Sequence, residues 1–177
     1  MCKSLYLFPI LLLPIFLIGQ TKLRANKQES TISYTMKHAL HEWTGVSKDV
    51  NCIMETDANG TAQKVAVVVK VSSFDSKNSN RDSHMIEVTE GLSFPNITFS
   101  SSSITPNGQG KYKVAGKLSF HGVEKPVEFM MTEEKKDNKR FFNGSFQILI
   151  EDYKIERPSL MFVKTDNEVI IKMNVAF

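Results

Sequence analysis

Cysteine is nearly absent from this 177-residue chain, which has only Cys2 and Cys52. Cys2 sits in the opening apolar segment, so a processed chain would keep one thiol, and a lone thiol closes no internal disulfide. A cysteine-built zinc site is excluded on the same count. Charge of one sign is lacking too. Without Lys3, the 22 basic residues become 21 against 19 acidic ones, mixed along the chain. That balance offers no basic face for nucleic acid or for an anionic bilayer. No Gly-rich phosphate loop, G-x-S-x-G elbow or H-E-x-x-H pair occurs.

Long hydrophobic runs are missing beyond the first residues. "MCKSLYLFPILLLPIFLIGQ" carries Lys3 and then an uncharged stretch from Leu5 to Ile18, broken by Pro9 and Pro14. It is shorter than the roughly 20 residues of a membrane span and has the length of a signal-peptide core. Residues 1–20 are therefore expected to be a signal peptide cut near Gly19, and 21–177 a single domain in the periplasm or outside the cell.

What is present is alternation with period two, the mark of strands with one dry and one wet face. In "KYKVAGKLSF" Tyr112, Val114, Gly116, Leu118 and Phe120 point one way and the lysines the other. The same pattern puts Val127, Phe129 and Met131 together, then Phe142, Phe146, Ile148 and Ile150, then Val169, Ile171, Met173, Val175 and Phe177. "TISYTMKH", "DVNCIMET", "QKVAVVVKV" and "ITFSSSSI" add four strands, making about eight. "TPNGQG", "HGVEKP" and the charged "EEKKDNKR" read as the reversals between them. Such long alternating strands with turn-rich links predict an all-β antiparallel sheet or barrel.

One stretch departs from strand character: "SNRDSHMIEVTE". Ser79 with Asp82 fits a capping box, and Met85, Val88 and Leu92 fall on one helical stripe. The spacing predicts a short helix over about 79–91, ended near Gly91 and Phe94-Pro95. Asp82 is then a cap, with Arg81 and His84 beside it at the mouth of whatever the strands enclose.

The ordered set "SFDSKNSNRDSHM", "FPNITFSS" and "VAGKLSFHGVEKPVEF" resembles the signature of the YceI-like family of exported lipid-binding proteins, over Ile32 to Phe177. "MKHALHEWTGVS" replaces the more common start and "IERPSL" differs from many members. The resemblance implies an eight-stranded antiparallel lipocalin-like barrel around a long apolar tunnel, holding a polyisoprenoid or isoprenoid quinone as a bound lipid rather than a cofactor, with no catalysis. Alternation alone does not separate a hollow barrel from a filled one.

The expected ligand wall is Tyr34, Met36, His38, Trp43, Val67, Val69, Met85, Phe99, Phe129, Met131, Phe146, Ile148, Ile171 and Met173. Arg81, Asp82 and His84 are the expected head-group contacts. Tyr34 and Trp43 each combine a large apolar body with one polar tip. Two rival readings remain: a filled barrel that docks a membrane or envelope redox partner, and a metal or base enzyme using His38, His41 and His121. On a strand, the three-residue spacing of His38 and His41 directs them to opposite faces. His121 reads as a solvated turn residue. The expected partners are a long-chain apolar lipid and a transient membrane or envelope-protein contact, with a homodimer compatible and no nucleic acid.

Overall fold

The computed structural model describes residues 20–160 and 162–177. The expected signal peptide therefore lies, apart from Gln20, outside the described residues. Among the described residues the chain is mostly strand. These are β1 (Thr21–Arg24), β2 (Thr31–His38), β3 (His41–Ser47), β4 (Asn51–Thr56), β5 (Ala62–Lys70), β6 (Phe74–Asp75), β7 (Asn96–Pro106), β8 (Lys111–Phe120), β9 (Val123–Lys136), β10 (Lys139–Leu149), β11 (Ser159–Leu160), β12 (Val163–Lys164) and β13 (Glu168–Ala176). One helix, α1 (Ser79–Val88), falls between β6 and β7.

Eleven strands form one antiparallel sheet in the order β1-β4-β5-β7-β8-β9-β10-β13-β2-β3-β6, and β11 pairs with β12 as a separate ribbon. The sheet curls on itself into a barrel-like wall with one buried face. Eight of its strands are those anticipated from alternation. The additions are the short β1 and β6, the β11–β12 ribbon, and β3, whose "HEWTGVS" lacks a clean alternation. A register shift in β7 between Ser101 and Ser103 marks a bulge, where one strand bends relative to its neighbour.

Several expected boundaries move. The link "HGVEKP" shrinks to a two-residue turn, because His121 and Gly122 both take positive φ (+49° and +69°) and β9 restarts at Val123. A turn with both central residues left-handed matches the twist of a hairpin, so Pro126 becomes a strand residue. "EEKKDNKR" similarly reduces to Asp137-Asn138, at φ +51° and +61°. His121 is not a solvated turn residue. Its Nδ1 donates to Tyr153 O at 2.8 Å, Nε2 lies 3.0 Å from a Glu90 carboxylate oxygen, and its ring meets Phe94 edge-on.

The helix cap also shifts by one residue. Asn78 is the N-cap and its side chain accepts from Arg81 N, whereas Asp82 accepts from Ser76 N at 3.1 Å and 3.3 Å. Asp82 therefore ties the helix to the strand before it. At the other end Glu90, at φ +45°, takes the left-handed position that Gly91 was expected to hold. Leu92 is then carried past the helix and is 92% exposed, so the expected stripe keeps Met85 and Val88 alone.

Candidate functional site

Antiparallel register lines up the inward side chains in rows. Ile148, Val169, Met36 and Trp43 are successive partners across β10, β13, β2 and β3. Phe146, Ile171 and Tyr34 form the next row, and Met173 with Ile32 begins the one after. On the opposite wall Val67 pairs with Phe99 and Val69 with Ile97, and Phe99 pairs in turn with Leu118. These rows enclose a cavity of about 350 Å³. That is more than twice the volume, about 150 Å³, that keeps an apolar pocket dry and lets it take benzene. It sits at the small end of ligand pockets.

Of the fourteen expected wall residues, twelve line this cavity: Tyr34, Met36, His38, Trp43, Val67, Val69, Met85, Phe99, Phe146, Ile148, Ile171 and Met173. Phe129 and Met131 do not. Both are buried on β9, which contributes no lining residue, in the half of the interior that side chains fill. Phe129 stacks on Phe146 at 5.1 Å, and further along Tyr112, Phe142 and Phe177 pack ring against ring. Glu133, with 8% of its side chain exposed, accepts from Arg140 Nε at 2.8 Å and from the Tyr112 hydroxyl at 2.7 Å. Burial opposes the charge on Glu133, but the bonds from Arg140 and Tyr112 outweigh it and hold the carboxyl below its usual range. Burial and the Glu133 bond push the Tyr112 phenol up to about 12. The interior is thus packed where β9 and the far half of β10 lie, while along β2 and β13 the cavity lining runs from His38 and Val169 to Ile32 and Val175.

The open end gathers the polar groups. Arg81 and His84 from α1, and His38, His41 and Trp43 from the β2–β3 hairpin, all border the cavity. Asp82 does not, since it faces Ser76. Among the described residues the lining carries one cation, Arg81, and no carboxylate. The Arg81 guanidinium lies 5.1 Å from the centroid of the Trp43 ring, a cation–π contact that holds both at the rim. Burial raises the Tyr34 phenol, helped by the Asp82 charge and offset by Trp43 and Arg81, so it stays a neutral donor. His84 is half-exposed, 3.4 Å from Glu87.

His38 and His41 are not on opposite faces, contrary to the strand argument. The chain reverses between them, so they become direct partners across β2 and β3, with ring centroids 5.6 Å apart. His38 Nδ1 accepts from Leu40 N, which puts its proton on Nε2, where it donates to Val163 O at 3.1 Å. Both nitrogens are thereby engaged. His121 lies in the β8–β9 turn and borders no part of the cavity, so the three histidines of the enzyme reading are not brought together. Among the described residues no three His, Cys, Asp or Glu side chains converge as metal ligands would.

Sequence reasoning missed Thr165 altogether. It lines the cavity, is 4% exposed, and its hydroxyl has no hydrogen-bond partner among the described residues. No period or motif in "LMFVKTDNEV" singles it out. His41, Val71, Phe74, Ile155 and Pro158 were also missed as lining residues, all near turns where alternation lapses.

The YceI-like domain model matches residues 23–177. The chain is 31% identical over 144 residues to a UPF0312 protein of Yersinia pestis, covering 76% of this chain and 74% of that protein. It is likewise 31% identical over 147 residues to a UPF0312 protein of Yersinia enterocolitica, covering 77% and 76%. Among solved structures it is similar to BcnA of Burkholderia cenocepacia, at a TM-score of 0.78 and 22% identity over 86% of this chain and 99% of that one. A polyisoprenoid binding domain from Saccharophagus degradans superposes at a TM-score of 0.72 with 13% identity, covering 90% and 97%. At these identities the two structures establish the fold.

Proposed function

Because this chain belongs to the YceI-like domain family, we propose that it is an exported, non-enzymatic carrier that holds an isoprenoid lipid or isoprenoid quinone in its apolar cavity. The observation that carries this reading is the division of the cavity wall. Aliphatic and aromatic side chains surround the interior, while Arg81, His84, His38, His41 and Trp43 cluster at the rim. A hydrocarbon chain with a polar head matches that division end for end. The Saccharophagus domain of the same fold is described as polyisoprenoid-binding, which supports the same ligand class.

The energetics agree. Burying three isoprene units gains about 12 kcal/mol at about 0.8 kcal/mol per carbon. Association costs at least about 4 kcal/mol, leaving about 8 kcal/mol, near a micromolar Kd. No charged anchor is needed. The mechanism is sequestration: the wall shields the chain from water while the rim meets the head group. Leu40, 69% exposed at the tip of the β2–β3 hairpin beside the rim, would face the membrane or partner from which the lipid comes.

Native mass spectrometry of protein purified from its own host, with solvent extraction of the same sample, tests the proposal. The expected result is a prenyl lipid in near-stoichiometric amount. Folded protein that yields a clean extract, and whose Trp43 emission ignores added isoprenoid, would overturn it.

A further inference from the structure

Between β7 and β10 the hollow ends where three aromatic rings meet, while along β2 and β13 its lining runs on to Ile32, Met173 and Val175. Phe146 stacks on Phe129 with centroids 5.1 Å apart and 23° between planes, and Phe99 meets Phe129 at 5.7 Å. Phe99 and Phe146 face the cavity, whereas Phe129 does not. Two glycines seat these rings. A Cβ on Gly116 would come 2.6 Å from the Phe99 ring, and one on Gly144 would come 3.2 Å from the Phe129 ring. Any larger residue at Gly116 would collide with the ring and with Ser100 O at 2.5 Å. The rings are therefore fixed by the walls they lie against, and behind them Met131, Val114 and Phe142 are buried and border no part of the cavity.

Resting on the lipid-binding reading above, we infer that the Phe99–Phe129–Phe146 stack is a stop that sets how many isoprene units this cavity admits. A chain entering past the Arg81–Trp43 pair at the rim gains affinity with each unit it buries until it reaches the rings. Further units stay in water and add nothing. The protein thus selects short prenyl chains, or grips only the tail-terminal units of long ones. Phe129 holds the other two rings in place from behind, so replacing it opens the way toward Met131.

The test titrates the full chain with prenyl alcohols of two, three, four and five isoprene units, following Trp43 emission. For the wild type, affinity is expected to climb and then level off within the series. In Phe129→Leu the levelling is expected one unit later, with a roughly tenfold gain for the first homologue past the wild-type plateau. Phe146→Leu carries the same expectation should Phe129→Leu fail to fold, with circular dichroism as the check. A wild-type affinity that climbs through the whole series, or a plateau at the same length in a folded variant, would overturn the stop while leaving the carrier intact. Binding of no alcohol at any length would overturn both.

Discussion

The Arg81 guanidinium lies over the Trp43 indole, 38 positions away in the chain, at the cavity rim, 5.1 Å from charge to ring centroid. One belongs to the helix and the other to the β2–β3 hairpin, so the contact pins the helix across the opening. Arg81→Ala should shift or brighten the emission of the single tryptophan and cost about 0.5–1 kcal/mol in a denaturant titration, the size of a partly exposed cation–π pair. Superimposable emission spectra would contradict the contact.

Glu133 should make the packed end of the barrel acid-sensitive. Its carboxyl is held below the usual 4.5, so the folded state binds this proton less readily than the unfolded state. The stabilisation is present above pH 4.5 and fades as pH falls through the lower folded value. Asp49 and Asp75 are also depressed, but both are fully exposed beside lysines and contribute little. The difference in unfolding free energy between wild type and Glu133→Gln, measured from pH 7 to pH 2.5, should shrink toward the acid end. A difference that stays constant with pH would exclude the assignment.

Cys52, 4% exposed, has its thiol pushed up to about 12 by burial. The reactive thiolate is thus almost absent at neutral pH. Iodoacetamide at pH 8 should leave Cys52 unmodified in the native protein and label it fully in denaturant, giving a direct report of global unfolding. Rapid labelling of folded protein would show that β4 opens locally.

Thr165 presents a buried hydroxyl without a partner among the described residues. Replacing it with valine keeps the shape and removes a buried polar group that no described residue pairs, so Thr165→Val should stabilise the lipid-free protein by about 1 kcal/mol. Thermal melting of the lipid-free protein decides this. A loss of stability would mean that the hydroxyl has a partner in solution, such as a bound water.

The composition and the period-two pattern were enough to specify an all-β antiparallel wall, eight of its strands, a short helix at "SNRDSHMIEV" and most of the side chains that face inward. Alternation carries that information because each strand residue points opposite to its neighbour. Twelve of the fourteen expected wall residues followed from it and from the family resemblance. Position along the barrel did not follow. Phe129 and Met131 obey the same inward pattern as Phe146 and Met173, yet the first two lie in packed interior and the others border space. Only neighbours brought from distant strands distinguish them: Gly116 and Gly144 admit the rings, and Arg140, Glu133 and Tyr112 close the end behind them. The histidines show the same division. Spacing assigns His38 and His41 to opposite faces of one strand, but a reversal at Ala39-Leu40 makes them partners on two. Local periodicity decides which way a side chain points, because that is a property of the backbone. Whether it points into a hollow or into another side chain depends on what the rest of the chain places opposite it, and that was settled only when the sheet curled.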